Sequence, residues 1–271
     1  MTDKPIIITK RTKRTAQPQA DLGFTPDIND ELPILRAYRQ NAWKIYQSMP
    51  LPNGSEEEWR RTSLKEIDFS SFNPVSSKGL KDHDFPKRLS EPVAGEKNGG
   101  QLLLSPYGSH LVIEDNLLKQ GVIFDSLKNL VNTHAGLVGK ILARIDQESG
   151  KFSALAGALE FNGVLLYVPR NVHVQLPLQS VYWVTDEGAA HSIHVLIYLE
   201  EGAQATYVHE ATSPEQAKTG SLHAGLMEIY VGPGAHLNFV ELQSWGENVI
   251  NFTRENVVID RDGSIDWIFG A

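Results

Sequence analysis

Apolar positions recur at two different periods along this chain, and the change of period divides it. Leu32, Leu35, Tyr38, Ala42, Ile45 and Met49 succeed one another at three- and four-residue steps, with Pro33 near the start where its missing N–H costs nothing, so a helix is expected there. Pro50 and Pro52 close it. A second helix is expected from Ser55, a capping hydroxyl followed by Glu56, Glu57 and Glu58 at the positive end of the helix dipole. Trp59 and Leu64 would then pack inward, with Arg60 and Arg61 on a solvated face. Residues 76–101 are rich in Lys, Asp, Ser, Pro and Gly without a sustained period, which predicts a linker or long surface excursion. Short strands are expected over Leu102–Leu104, Leu111–Ile113 and Val122–Phe124. Helices come next over Leu127–Thr133, Gly136–Ile145 and Phe152–Leu159.

After Glu160 the period becomes two. Val164, Leu166 and Val168 alternate ahead of Pro169; Val195, Ile197 and Leu199 alternate ahead of Glu200-Glu201-Gly202; Met227, Ile229 and Val231 alternate ahead of Gly232-Pro233-Gly234. The residues after each corner are alike as well. Gly202-Ala203 leads to Ala205 and Tyr207, Gly234-Ala235 to Leu237 and Phe239, and Gly263-Ser264 to Ile265 and Trp267, the third copy being displaced by one residue. A strand, a Gly-small corner and a strand with an inward aromatic, repeated 32 and then 29 residues on, describe a stacked array in which each unit covers its neighbour's apolar face. A β-solenoid accounts for the likeness of the corners themselves better than a sandwich or jelly roll, which would explain strand spacing only.

Composition narrows the chemistry. The 271 residues contain no cysteine, so thiolate-ligated metals, disulfides and cysteine nucleophiles are excluded for this chain. A net charge of -8 argues against a nucleic-acid partner, and no apolar run approaches the ~20 residues that span a bilayer. The start lacks the apolar core of a signal peptide, which leads to an expectation of a soluble, cytoplasmic protein. Lys10, Arg11, Lys13 and Arg14 lie in a polar stretch expected to be a loose basic tail, with binding of an acidic partner surface or nucleic acid as the functional alternative. The organisation expected is a tail over 1–20, a helical region over 21–75, a linker over 76–101, a mixed α/β entry segment over 102–160 and a β-helix core over 161–271.

Five of the nine histidines fall between His191 and His236, near Glu210, Glu228 and Glu241. Strand alternation sends His191 and His194 to opposite faces, and likewise His209 and Glu210. A metal or acid–base site would have to be assembled between rungs, for example from His209 with His236 or Glu241. The plainer expectation is polar residues on the solenoid's solvent face. Paired carboxylates at Glu200-Glu201 and Asp260-Asp262 precede corners and are accounted for by turn chemistry, though they leave open a polysaccharide-active enzyme. Trp183, Trp245 and Trp267 are expected in or along the core and not on a stacking surface. No Walker, Gly-x-Ser-x-Gly, His-Glu-x-x-His or dinucleotide pattern is present.

Several longer runs carry a resemblance. Gly163-Val-Leu-Leu-Tyr-Val-Pro169, Leu176-Pro-Leu-Gln179, His194-Val-Leu-Ile-Tyr-Leu-Glu-Glu-Gly-Ala203, Glu228-Ile-Tyr-Val-Gly-Pro-Gly-Ala235 and Gln243-Ser-Trp-Gly-Glu-Asn-Val-Ile-Asn-Phe252 resemble the core of the SufB/SufD family of iron–sulfur cluster assembly proteins. Glu58-Trp-Arg-Arg-Thr-Ser-Leu64, after the prolines, resembles the helical entry of SufD. The resemblance implies a right-handed parallel β-helix preceded by a helical region. It implies a non-catalytic scaffold component beside SufB-like and SufC-like ATPase subunits, with pairing to a second copy left open. A cluster would be met only through the assembled complex, with no cofactor held by this chain. Family members continue beyond the position of Ala271 through further rungs and a C-terminal region, so the chain reads as C-terminally truncated or as ending against a partner. The positions implicated at the cluster interface would lie past Ala271, so no catalytic, cofactor or metal residue is assigned.

Overall fold

The computed structural model describes residues 22–29, 32–75, 85–92, 97–159, 162–216 and 218–271; the basic run Lys10–Arg14 lies outside them. The chain opens with α1 (Pro33–Ser48), the two-residue strand β1 (Asn73–Pro74) and the short α2 (Lys87–Ser90). An entry segment comes next: β2 (Gly100–Ser105), β3 (Gly108–Ile113), α3 (Asp115–Lys119), β4 (Ile123–Ser126), α4 (Leu127–Thr133), α5 (Ala135–Leu142) and α6 (Lys151–Ala158). The rest is β5 (Gly163–Val168), β6 (Leu178–Trp183), β7 (Ala189–Leu199), β8 (Gln204–Thr212), β9 (Ser221–Val231), β10 (His236–Ser244), β11 (Val249–Ile259) and β12 (Ser264–Gly270).

From β5 onward successive strands alternate between two sheets, and within each sheet they pair in parallel. One sheet runs β11-β9-β7-β5-β4 and the other β12-β10-β8-β6-β2-β3. The protein is therefore mainly β, a parallel β-solenoid with helices ahead of it. The entry segment caps its first coil. β4 pairs antiparallel with β5, and the β2–β3 hairpin adds β2 in parallel to β6, so the first coil's edges are covered rather than open.

Side-chain parity sorts the strands into two cores. Val164, Leu166, Val195, Ile197, Met227, Ile229, Tyr207, Leu237 and Phe239 point into the lumen between the sheets. Leu165, Leu196, Leu222, Ala224 and Leu226 point the other way, from the β5–β7–β9 face onto Leu155, Ala154 and their neighbours in the helical layer. Two buried cations fasten that layer. Lys151 at the start of α6 donates to the carbonyls of Tyr46 and Met49 at 2.7 Å, where the end of α1 leaves acceptors unpaired. Arg39 on α1 donates to the carbonyls of Ala158 and Asp27 at 3.2 and 2.9 Å. On the other sheet, Leu89 of α2 packs over Leu103 and Val181, so part of the stretch read as a linker is docked.

Two local expectations change. The helix expected from Ser55 is a single 3-10 turn, Glu57–Trp59, with no side-chain cap. Asn53 organises it instead: its Oδ1 accepts the Ser55 N–H, and its own N–H donates to Glu56 Oε1. Trp59 is drawn against Phe152 and Phe252, with ring centroids 5.5 and 5.8 Å away, and burial of the indole outweighs helix propensity there. The displaced third corner also resolves. Gln204, His236 and Ser264 are in register, so the position equivalent to Gly202 and Gly234 is Asp262 and not Gly263. All three are left-handed, with φ of 67°, 61° and 59°, and Asn171 (φ 57°) is an earlier copy whose His173 bridges to Gln204. Asn and Asp are the non-glycine residues that best tolerate this conformation.

Candidate functional site in the solenoid lumen

The lumen has an apolar end beside the corners and a polar end opposite. The polar end is built from inward positions in two registers. On β7, β9 and β11 these are His191, His223 and Asn251; on β6, β8 and β10 they are Ser180, His209 and Glu241. All three of these histidines are buried, as is Glu241 at 1 % exposure.

Hydrogen bonds link the rungs along the axis. Ser180 Oγ lies 2.5 Å from the Tyr207 hydroxyl and 2.8 Å from His209 Nδ1. With Tyr207 donating to Ser180 and Ser180 donating to Nδ1, neutral His209 carries its proton on Nε2. His191 and His223 meet through their Nδ1 atoms at 3.1 Å, a contact that needs one donor and one acceptor. Further on, Gln243 Nε2 donates to Glu241 Oε1 at 2.8 Å, Asn251 Nδ2 donates to Gln243 Oε1 at 2.7 Å, and Thr253 Oγ1 donates to Asn251 Oδ1 at 2.9 Å. Between these groups is a cavity of about 10 Å³, lined by His209, His223, Glu241, Gln243 and Trp245 among others, room for about one water. Trp245 Nε1 and His191 Nε2 are buried with no hydrogen-bond partner among the described residues, and the Glu241 carboxyl faces that of Glu255.

Burial fixes the protonation states. It lowers the His191 pKa to about 3 and that of His209 to about 4. His223 is held well below its ordinary value by burial and by the neighbouring His191 and His209. Glu255, facing Glu241 across the lumen, is raised to about 7 by desolvation and by that second carboxylate. The lumen thus presents neutral imidazoles, amides and an indole N–H, donors and acceptors for a small polar species.

His191, His194, His209 and His223 therefore do not lie on the solvent face, whereas His236 is partly exposed. Their parity is as expected: His191 points into the lumen while His194 points out, 3.2 Å from the Tyr38 hydroxyl under α1, and Glu210 leaves the lumen to approach Arg88 at 3.9 Å. Both directions are covered because helices sit on the outer face, and that second layer is what the strand pattern does not report. Of the two partners considered for His209, Glu241 is in register with it; His236 pairs with Ser264 and Asn238 near the corner. Among the described residues no three His, Asp or Glu side chains converge in metal-holding geometry. The corner carboxylates are occupied locally. Glu200 accepts from the Tyr167 hydroxyl and the Arg170 N–H, Glu201 pairs with Arg170, and Asp260 accepts from the Tyr230 hydroxyl and the Arg261 N–H. Trp245 packs on His191 and His223, and Trp267 on Phe239, as lumen residues.

Sequence reasoning paired His209 with Glu241 across rungs but did not extend the column to His191 and His223, for which a signal existed. His191 to His223 and His209 to Glu241 are both 32 residues apart, the same step as Gly202 to Gly234.

The coils with this lumen coincide with known family regions. Residues 182–271 match the core domain of SufBD proteins of the SUF system for FeS cluster assembly, and residues 109–180 match the SufBD N-terminal region. The chain belongs to the SufBD family. Among its relatives is an iron-sulfur cluster assembly SufBD family protein of Staphylococcus epidermidis, 27% identical over 277 residues that cover 93% of this chain and 57% of the relative. Proteins of the same description from Staphylococcus saprophyticus and Staphylococcus aureus are 27% and 26% identical, with the same coverage. The chain spans about 57% of the length of the curated SufBD relatives it matches. The boundary between the two SufBD regions falls inside β6, so the N-terminal region supplies the cap and first coil while the core region carries the histidine column. No helix among the described residues is long and apolar enough to cross a membrane.

Proposed function

We propose that this SufBD chain is a SufD-like scaffold component of a cytoplasmic iron–sulfur cluster assembly complex, acting beside a SufB-like subunit and a SufC-like ATPase and catalysing no reaction by itself. The observation that carries the reading is the pair of SufBD regions running in tandem over residues 109–271, on a solenoid with no cysteine anywhere in the chain. A cluster needs thiolate or comparable ligands. Here the ligands would come from a partner, so the cluster is the complex's cargo and this chain holds no cofactor of its own. Its share is a rigid surface and a lumen of neutral polar groups. The Glu58–Leu64 run favours SufD over SufB within the family.

Co-expression of this protein with SufB and SufC of the same source provides the test. The three should co-purify, and the complex should acquire iron and sulfide that the isolated chain does not. Recovery of this protein alone, with SufB and SufC forming a complete complex without it, would sink the proposal.

A further inference from the structure

The Glu58–Leu64 run lies outside both matched family regions, and the scaffold role leaves it without a task. Its fold gives it one. Because residues 60–68 leave the helical path after the Glu57–Trp59 turn, they form one wall of a groove of about 620 Å³ whose other wall is the Leu51–Gly54 turn. Leu51, Leu64 and Phe69, all buried, make its floor. Arg60, Arg61, Lys65, Thr62 and Ser63 line it above.

The charges on that rim are unspent. Arg60 is held only by the exposed Glu57 at 3.2 Å, while Arg61 and Lys65 have no ion pair, and Thr62 and Ser63 no side-chain partner, among the described residues. The acid in the lining, Asp68, is turned back onto the Ser70 N–H and hydroxyl. Trp59 and Glu58 line an adjoining groove that shares Pro52 and Thr62 with this one, while Arg60, Arg61 and Lys65 line only the first. In a chain of net charge -8, and with Glu56, Glu57 and Glu66 close by in sequence, the groove lining itself holds three cations against one acid around an apolar floor.

We propose that this groove binds an organic phosphate: a phosphoryl group between Arg61, Lys65 and the Thr62 and Ser63 hydroxyls, with the apolar or aromatic part of the ligand on Leu51, Leu64 and Phe69. Guanidinium and hydroxyl donors suit a tetrahedral oxyanion, and a fork of guanidinium N–H groups fits it better than an ammonium alone. The volume is that of a single small-molecule ligand. A protein partner would need a footprint several times larger.

The test is calorimetric titration of the 271-residue chain with ADP at low ionic strength, where exposed cations are least screened. Binding is expected with a Kd at or below about 0.1 mM. The double variant Arg61→Ala/Lys65→Ala should weaken it by about tenfold or more. Both side chains are exposed, so its circular dichroism and Tm should match the parent chain. Adenosine should bind at least about tenfold less well than ADP. Absence of heat with ADP and with inorganic pyrophosphate overturns the assignment, as does a double variant that binds ADP unchanged. Adenosine binding as tight as ADP removes the phosphate from the recognition. A phosphoserine peptide binding more tightly than ADP makes the groove a protein-docking surface instead.

Discussion

The two ends of the solenoid lumen are made from the same strands with the same alternation, and they differ in what each side chain requires of its neighbour. At the corner end Ile197, Ile229, Leu237 and Phe239 are essentially inaccessible, Tyr207 stacks on Phe239 at 5.7 Å, and Trp267 packs tilted on Phe239 at 5.2 Å. Apolar contact needs only proximity, so each such residue contributes about 1.5–3 kcal/mol wherever the rungs meet. At the other end every group needs a particular partner, and among the described residues Trp245 Nε1 and His191 Nε2 lack one; in the apolar half Trp267 Nε1 is the exception that does too. An unsatisfied buried polar atom costs on the order of 1–3 kcal/mol. A fold that served stability alone would carry aliphatics in both halves. The polar half therefore carries a stability cost that the apolar half largely avoids.

Acid should break the comparison most forcefully. His191, His194, His209 and His223 are neutral in the fold, with pKa values lowered by burial, but protonate near 6.5 once unfolded. Below about pH 6.5 the unfolded chain binds more protons than the folded one, so stability falls as pH drops toward about 4. Each histidine contributes a slope on the order of 1.4 kcal/mol per pH unit there. Four together outweigh any single core truncation. Glu255 acts with the opposite sign, because its raised pKa makes its stabilisation fade as pH rises through about 7, but at the lumen's mouth it is screened by solvent. Urea titrations at pH 7.5, 6.5 and 5.5 should show a steep loss across the last interval. A flat profile would mean that the histidines are hydrated and the polar half is an open channel.

The apolar half should answer differently. Phe239→Ala is expected to cost about 3–5 kcal/mol by leaving a cavity between Tyr207 and Trp267. That loss should be the same at pH 7.5 and pH 6.5, since His209, the titratable group stacked on Tyr207, stays neutral across that interval. A penalty that grows with acid would show that the two ends of the lumen are coupled and not independent.

Much of this architecture is legible because solenoid strands repeat. Period-two runs mark the strands of both sheets, and the corner glycines set the coil length. Periodicity tells which residues share a face, but not what covers that face. Alternation correctly sends His194 and His191 to opposite sides, yet neither meets water, because the helices that bury the outer face come from residues 33–48 and 151–158, outside the repeat. The polar column is hidden for a related reason: a lone histidine in a strand is ambiguous, and only its recurrence one coil later distinguishes a lumen position. The missing helix at Ser55 shows a tertiary contact, Trp59 on Phe152, overriding a strong local capping pattern.

The corners sharpen the contrast at its smallest scale. They form the wall behind the apolar half, and their left-handed position is held by Asn171, Gly202, Gly234 and Asp262 in turn. At Gly234 an added Cβ would meet no atom within 4 Å, so Gly234→Ala should cost only the left-handed strain of an alanine, roughly 1–2 kcal/mol. Gly202→Ala should cost more, because its Cβ would fall 2.4 Å from Asn171 Oδ1 in the preceding coil. Asp262→Gly runs the other way: it relieves strain in the fold but frees the unfolded chain, and the two nearly cancel to within a few tenths of a kcal/mol. Denaturant midpoints of the three variants, measured side by side, should therefore rise in the order Gly202→Ala, Gly234→Ala, Asp262→Gly. An Asp262→Gly change as damaging as Gly234→Ala would mean that the Asp262 carboxylate, beside Arg261 at 3.4 Å, holds the corner by charge rather than by backbone shape.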